Sequence, residues 1–449
     1  MRIGVPKETA DGERRVAMVP ETVAKLTEDG EFEVLVEAGA GREYRPDEAY
    51  EEAGAKIAED ADAVYSDADV VVKVRPPDES EVERLGEGTV LISFMDPNAD
   101  EELVKKLADK GVTTLSMAVM PRTGQAQSMD AISSMSSIAG YASVLEAASA
   151  AGRYLPMMTT AAGTTKAARV MVLGVGVAGL QAIATARRLG AEVEAFDIRE
   201  EVKDQVKSLG ATFIDSEDDG DEAADEDASE VPEPGRVEAF AKDLLGLRRD
   251  FGRSAPDEED DGAGGGDADA ASGDGDDEDG GSDSDKDGYA GEQSEEKQKR
   301  DQELVAERIS EMDVVITTAL VPGKDAPTLV TKEMVERMKP GAVLLDMAVE
   351  AGGNCELSEP GKTVEHGNVR ILGPLNIPSS MPIHASELYS KNVESLLSHL
   401  VDDDGAIQWD FDDEITNAVC LTHDGEVRDT SPKESEDGDD SSDEGEDDE

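Results

Sequence analysis

Two hydrophobic patterns alternate along the chain. Short apolar runs suit strands buried on both faces, and longer stretches with apolar positions three and four apart suit helices. Over residues 1–120 the pattern predicts strands at Arg2–Val5, Glu33–Val36, Val70–Val74, Val90–Phe94 and Thr113–Ser116. Helices are predicted between them at Glu21–Glu28, Asp47–Ala53 and Asp100–Lys110. This alternation implies a first α/β unit around a largely parallel sheet. A connecting helix is predicted over Gly140–Ala151. Six further strands follow at Val170–Leu173, Glu192–Phe196, Ala211–Ile214, Asp313–Thr317, Ala342–Met347 and Val369–Leu372. Their helices are predicted at Leu180–Leu189, Val202–Leu209, Gln293–Met312 and Lys332–Met338, and Ala385–Val401 reads as a long helix returning to the first unit.

The stretch from Ala168 to Asp197 narrows the reading. Its strand run passes into Gly174, Gly176 and Gly179 in G-x-G-x-x-G spacing, then into an Ala- and Leu-rich helix with Arg187 and Arg188 in its last turn. The next strand ends on Asp197, eighteen residues after the last glycine. Gly174 suits the tight turn, Gly176 the close approach of a pyrophosphate, and Gly179 the packing of helix on strand, while the helix N-terminus faces the phosphates. Asp197 can accept from a ribose hydroxyl and would repel a 2′-phosphate, so NAD is favoured over NADP. The glycine spacing alone also fits a βα turn that binds nothing. With strand, helix, second strand and terminal acid in place, it points to a dinucleotide site. The expected fold class is α/β: two doubly wound parallel-sheet domains, the second a Rossmann dinucleotide-binding domain, with an acidic disordered insertion and tail.

Composition refines this picture. The 449 residues include 105 acids against 42 Lys and Arg, a formal charge of −63. That balance argues against nucleic acid or an anionic membrane surface as partner. Acids also crowd predicted helices, as at Asp47-Glu48 and Glu51-Glu52, which is the surface expected of a halophilic protein in a salt-saturated cytoplasm. Ser216–Lys286, rich in Asp, Glu, Gly and Ser, has too little apolar surface to offset its chain entropy and is expected to be disordered. The domains predicted are an N-terminal α/β domain, 1–139, completed by 380–425, and a Rossmann domain, 140–379, carrying the insertion 216–286. A disordered acidic tail, 426–449, completes the chain. Cys355 and Cys420 are the only cysteines, so no disulfide framework is implied and a reducing compartment is expected. The N-terminus, MRIGVPKE, has no signal-peptide core, and the most apolar window, Val170–Ala186, is too short to span a bilayer; a soluble chain is expected.

Candidate chemistry is sparse. Met120–Ala139 is polar and rich in Ser and Gln, and its composition fits a ligand loop at a domain junction and an ordinary linker equally. No metal site is expected, because His366, His384, His399 and His423 lack ligand spacing. Residues 1–365 contain no histidine, the usual general acid/base of a dehydrogenase acting on an alcohol or amine. Lys73 could take that role, or be a strand-end lysine snorkelling to solvent. Cys355 reads as small packing rather than a nucleophile. A nicotinamide enzyme without a proton shuttle fits hydride transfer between two nicotinamides.

Gly4–Pro20 (GVPKETADGERRVAMVP), Met120–Tyr141, Val172–Phe196, Ile316–Lys324 (ITTALVPGK) and Asp346–Cys355 (DMAVEAGGNC) together resemble the NAD(H)-binding alpha subunit of proton-translocating NAD(P) transhydrogenase. That family lies in the alanine dehydrogenase/transhydrogenase superfamily, and the resemblance covers nearly everything except Ser216–Lys286 and the tail. It implies a homodimer that passes hydride between its own NAD(H) and NADP(H) on a partner subunit, coupled to proton movement through a separate membrane subunit. The chain would be cytoplasmic, held at the inner face of the cell membrane by those partners. By resemblance, Arg122, Gln127 and Asp130, with Ser133 following, hold the nicotinamide for transfer, and a charge-assisted Arg122–Asp130 pair would fix the loop. The same resemblance assigns nucleotide contacts to Gly174, Gly176, Val177 and Gly179 and to Asp197, Ile198 and Arg199. It adds Thr318 and Leu320, and it matches Gly288 and Tyr289 to a mobile loop that closes over bound nucleotide. Gln125 stands where the family usually has Arg, and Met135-Ser136-Ser137 where it has Gln-Ala-Asn or similar. The sister family, alanine dehydrogenase, would use Arg15 and Lys73 on its substrate, but needs a histidine where this chain reads Phe94-Met95-Asp96-Pro97. A non-catalytic NAD-binding role is the remaining class, and the retained Arg122, Gln127 and Asp130 argue against it.

Overall fold

The computed structural model describes residues 1–215 except 29 and 31, and residues 295–430 except 321–323 and 403–404. The insertion expected at 216–286 and most of the expected tail lie outside the described residues. Two units separate along the chain, Met1–Ile214 with Asp301–Glu449, and Asp215–Arg300. The first unit contains two α/β halves.

In the N-terminal half, β1 (Arg2–Val5), β2 (Glu33–Glu37), β3 (Lys56–Ala58), β4 (Val70–Val72), β5 (Val90–Ser93) and β6 (Thr113–Ser116) pair in parallel in the order β6-β5-β4-β1-β2-β3. Val70, Val71 and Val72 are wholly buried, as a strand covered on both faces requires. Helices α1 (Pro20–Glu28), α2 (Asp47–Glu52), α3 (Ala61–Asp67), α4 (Glu79–Arg84) and α5 (Glu101–Asp109) connect these strands. The three-residue β3 and the short α3 and α4 fall below the length at which periodicity marks an element.

The second half aligns β9 (Arg169–Leu173), β10 (Glu192–Phe196), β11 (Thr212–Phe213), β12 (Val314–Thr317), β13 (Val343–Asp346) and β15 (Val369–Leu372) in parallel, in the order β11-β10-β9-β12-β13-β15. Neither sheet is purely parallel, contrary to expectation. β14 (Thr363–His366) is antiparallel to β15. On the first sheet, β16 (Cys420–His423) is antiparallel to β6, and β17 (Glu426–Val427) to β16. The β14–β15 and β16–β17 pairs are edge hairpins, which need no crossover helix, whereas β16 reaches β6 from far along the chain. β17 and Arg428 fall within the stretch expected as tail: the Arg428 backbone N–H donates to the Leu421 carbonyl, and its guanidinium lies 3.3 Å from the Phe411 ring centroid. A separate hairpin, β7 (Met158–Thr160) with β8 (Gly163–Thr165), was not anticipated and is exposed throughout.

Two helices tie the halves together. The connecting helix α6 runs from Ala131 to Ala151, nine residues longer at its start than Gly140. Its serine content hid it, yet Ala131, Met135 and Ile138 pack into the first core and Val144 and Ala147 into the second. Ser143 is accommodated by donating its hydroxyl to the Ala139 carbonyl at 2.8 Å. Within the second half the helices are α7 (Val177–Arg188), α8 (Lys203–Ser208), α9 (Glu295–Ile309) and α10 (Lys332–Arg337). α11 (Pro382–Leu400) then returns to the first half, as its pattern predicted, burying Ala385, Tyr389, Val393, Leu396 and Leu397. No helix among the described residues is long and apolar enough to cross a membrane.

A buried ion pair clasps the turn before α11. The Arg15 guanidinium donates to Glu13 at 2.7 and 2.6 Å and to the Asn376 side-chain oxygen at 3.1 Å. The Asn376 amide donates back to Glu13 at 2.9 Å, and the Arg14 N–H donates to the Ser379 hydroxyl at 2.7 Å. Burial alone would raise the Glu13 carboxyl, but the bonds and charge of Arg15, helped by Asn376, hold it down at about 2. A carboxylate depressed from 4.5 to about 2 contributes stability that is complete above pH 4.5 and lost as pH falls through 2. The contribution is about 3 kcal/mol. Denaturant unfolding of wild type and Glu13→Gln should therefore differ by about that amount at neutral pH, with the gap closing between pH 4.5 and 2.

Candidate functional site

The glycine turn joins β9 to α7, which starts three residues before the expected Leu180. Gly174 has φ +98°, a left-handed conformation that disfavours a side chain. The Thr318 hydroxyl donates to the Gly174 carbonyl at 3.0 Å, and the Thr318 N–H donates to the Leu173 carbonyl at 2.8 Å. A Cβ on Gly179 would overlap the Gly174 carbonyl oxygen, so only glycine lets α7 approach the turn. Gly176 differs: nothing lies within 4 Å of where its Cβ would be. The open space lies at the N-cap of α7, with Val177 as its first helical residue, where backbone N–H groups await an acceptor.

Asp197 ends β10 and reaches back to this turn. Its carboxylate accepts from the Val175 N–H at 2.6 Å and the Arg199 N–H at 3.0 Å, and the Arg199 guanidinium closes on both oxygens at 3.0 and 3.1 Å. The bond to Asp197 raises the Arg199 guanidinium above its ordinary value. Ile198 packs partly buried against the second sheet, and Leu320, beyond β12, is 48% exposed. Gly288 and Tyr289 lie outside the described residues.

The structure adds residues that sequence reasoning did not single out. Asp346, wholly buried at the end of β13, accepts from the Thr317 hydroxyl, the Ala348 and Cys355 N–H groups and the Ser358 hydroxyl, at 3.0, 3.0, 3.0 and 2.6 Å. Four neutral donors satisfy the carboxylate without a cation. Asn354, also wholly buried, donates to the Ala319 and Pro327 carbonyls at 2.9 and 2.8 Å and accepts from the Ala319 N–H at 3.0 Å. The available signal was an acid closing an apolar strand and an amide following two glycines.

The 122–133 group stands at the head of α6. Arg122 and Gln127 are exposed, Gln127 on the short 3-10 turn Ala126–Met129. Asp130 N-caps α6, accepting the Ser133 N–H at 2.8 Å and the Ser133 hydroxyl at 2.5 Å, so its carboxylate serves the helix terminus. Gln127, Asp130 and Ser133 make no hydrogen bond to the glycine turn; α6 relates the two groups. At Gly140, ten residues and about 15 Å along the helix, a Cβ would overlap the Ala178 carbonyl oxygen of α7.

Residues 4–139 match the family described as alanine dehydrogenase/PNT, N-terminal domain, and residues 143–430 match its C-terminal domain. The chain belongs to the alanine dehydrogenase/PNT family. It is 41% identical over 434 residues to an NAD(P) transhydrogenase alpha-subunit chain of Rhodospirillum rubrum, covering 95% of this chain and 97% of that one. It is 29% identical to the alanine dehydrogenase of Mycobacterium tuberculosis, covering 85% and 82%. The crystal structure of transhydrogenase from Sinorhizobium meliloti matches with a TM-score of 0.71 at 39% identity, covering 95% of this chain and 98% of that one.

The polar groups relevant to the alanine dehydrogenase branch are internally engaged. Lys73 is 1% exposed, with its ammonium 2.5 Å from Glu81 and 3.7 Å from Glu8, so it does not snorkel. Burial raises Glu8 despite the Lys73 charge. Arg15 is taken up by Glu13. His366 contacts Glu336, His399 contacts Asp413, and the His423 ring packs tilted against Trp409 and edge-on to Phe411. Burial pushes the Cys355 thiol up to about 11, as suits packing. The glycine turn yields a steric contrast. Gly179→Ala should lower stability by about 1–3 kcal/mol, whereas Gly176→Ala should change it by less than about 0.5 kcal/mol, both read from thermal unfolding.

Proposed function

We propose that this chain is the NAD(H)-binding subunit of a proton-translocating NAD(P) transhydrogenase, and that its second half is a Rossmann dinucleotide-binding domain. The strand order β11-β10-β9-β12-β13-β15 corresponds to 3-2-1-4-5-6, with the glycine turn at the switch between β9 and β12. The residues present fit the nucleotide: Gly176 leaves room for a pyrophosphate at the α7 N-terminus, and Asp197 with Arg199 stands at the ribose end. Bound NAD(H) supplies the nicotinamide that gives or receives a hydride. Arg122, Gln127, Asp130 and Ser133 position it, with Gln127 free to bond the carboxamide and Asp130 holding the head of α6 rigid.

The observation that carries this reading over alanine dehydrogenase is the histidine-free first 365 residues, with Phe94-Met95-Asp96-Pro97 after β5. Ring-to-ring transfer requires positioning and no proton shuttle at the reacting carbon. NADP(H) is bound by a partner subunit, and proton movement runs through a separate membrane subunit that keeps this chain at the cytoplasmic face. A homodimer is supported by the exposed β7–β8 hairpin, Met158 included, and by the exposed apolar side chains Tyr141, Leu145, Tyr154 and Met157, which a second copy would cover. The charge of −63 supports a salt-adapted, halophilic source, in which counter-ions screen self-repulsion. Residues 216–286 have the composition of a disordered insertion.

Cyclic hydride transfer at multimolar KCl tests the proposal, using purified chain, NAD(H), an NAD analogue and an NADP(H)-loaded partner domain. Rapid reduction of the analogue is expected, falling roughly a hundredfold in Gln127→Ala with the fold intact. Tight NADH binding without transfer, in the presence of a competent partner, would sink the reading.

A further inference from the structure

We propose that Asn354 is a positioning residue for NAD(H), acting through Ala319 on the wall of the glycine turn. It rests on the reading of Gly174–Gly179 as the nucleotide turn. Asn354 is wholly buried, so it does not touch a ligand itself. Its side chain places each of its bonds on main-chain groups: the amide on the Ala319 and Pro327 carbonyls, the oxygen on the Ala319 N–H. Its own carbonyl accepts from the Leu329 and Val330 N–H groups at 2.8 and 2.9 Å. One residue therefore clamps the stretch after β12 at both ends.

The clamp leads directly to the turn. Ala319 follows Thr318, whose hydroxyl and N–H bond to Gly174 and Leu173. A Cβ on Gly174 would lie 2.7 Å from the Thr318 hydroxyl oxygen and 2.9 Å from the Ala319 nitrogen, so the two loops press together with no slack. Asn354 satisfies both polar main-chain groups of Ala319, which lies beyond the last ladder partner of β12. Asn354 is itself held in place: the next N–H, of Cys355, donates to the buried Asp346, and Gly353 leaves room where a Cβ would lie 2.6 Å from the Ser358 hydroxyl. Strands β12 and β13 thus bring Asp346, Asn354, Ala319 and Gly174 into one chain of contacts, and a shift of Ala319 moves the surface that the nucleotide meets.

The test is NADH titration by fluorescence with the full chain in multimolar KCl, for wild type, Asn354→Ala and Asn354→Asp. Aspartate keeps the size and the acceptor for the Ala319 N–H but sets a carboxylate oxygen against the Ala319 and Pro327 carbonyls, so it breaks the clamp without leaving a cavity, and the affinity of each variant is read on its folded fraction. NADH dissociation constants should rise roughly tenfold in both variants. Transfer to an NADP(H)-loaded partner at saturating NADH should stay within about threefold of wild type, the split expected of a group that sets binding rather than the chemical step. A purely structural role would lower the melting temperature and leave the affinity of the folded protein unchanged, and that result overturns the proposal. Wild-type chain that binds no NADH overturns the nucleotide reading itself; wild-type binding matched by both variants overturns only the role of Asn354.

Discussion

The close crossing of α6 over α7 at Gly140 and Ala178 is the contact on which the rest of the molecule depends. α6 places its two ends in different cores, Met135 and Ile138 in the first and Val144 and Ala147 in the second. A side chain at Gly140 would strike the Ala178 main chain, within the first turn of the helix that opens after the glycine turn. Main chain against main chain leaves little freedom to slide, because packed interiors resist gaps and overlaps alike. The crossing therefore sets where the Asp130 cap stands relative to the α7 N-terminus.

Around the turn, position is held by hydrogen bonds that run from polar side chains to main chain. Asp197 holds Val175, Thr318 holds Gly174, and Asn354 holds Ala319. None of these is a surface salt bridge that salt would weaken. Asp346, behind them, finds four donors for its buried carboxylate. A turn built this way has its shape fixed by the chain's own hydrogen bonds, the kind of preorganisation that lowers the cost of binding.

The same rule governs charge. The chain carries a large acidic excess, yet several of the acids it buries are individually compensated. Glu81 and Glu8 share Lys73, Glu13 has Arg15, and Asp313 faces Arg153, Lys339 and the Arg169 N–H. Removing one partner from such a group costs far more than an exposed pair contributes, because the charge left behind has no solvent. Surface acids are therefore free to vary with the salt of the surroundings, and these buried sets are not.

The alternation of strands and helices, the glycine turn and the long returning helix were all legible in the sequence, because each is a local pattern of apolar spacing or glycine placement. The halves of α6 were not equally legible. A serine-rich first half reads as a polar loop, and only packing against two cores makes it helix. The antiparallel edges β14, β16 and β17 also escaped, since strands of two to four residues are too short to show a period, and β16 meets β6 from far away in the chain. Among the candidate residues, the glycines and Asp197 could be chosen by spacing, whereas the role of Asp130 as the cap of α6, accepting from the Ser133 N–H and hydroxyl, carries no spacing signal of that kind. By itself the sequence determined which residues repeat at strand or helix period and where the backbone must be glycine. Only the tertiary structure decided which buried donor meets which acceptor, because those partners lie as far apart as Asn354 and Ala319 and no local pattern encodes their meeting.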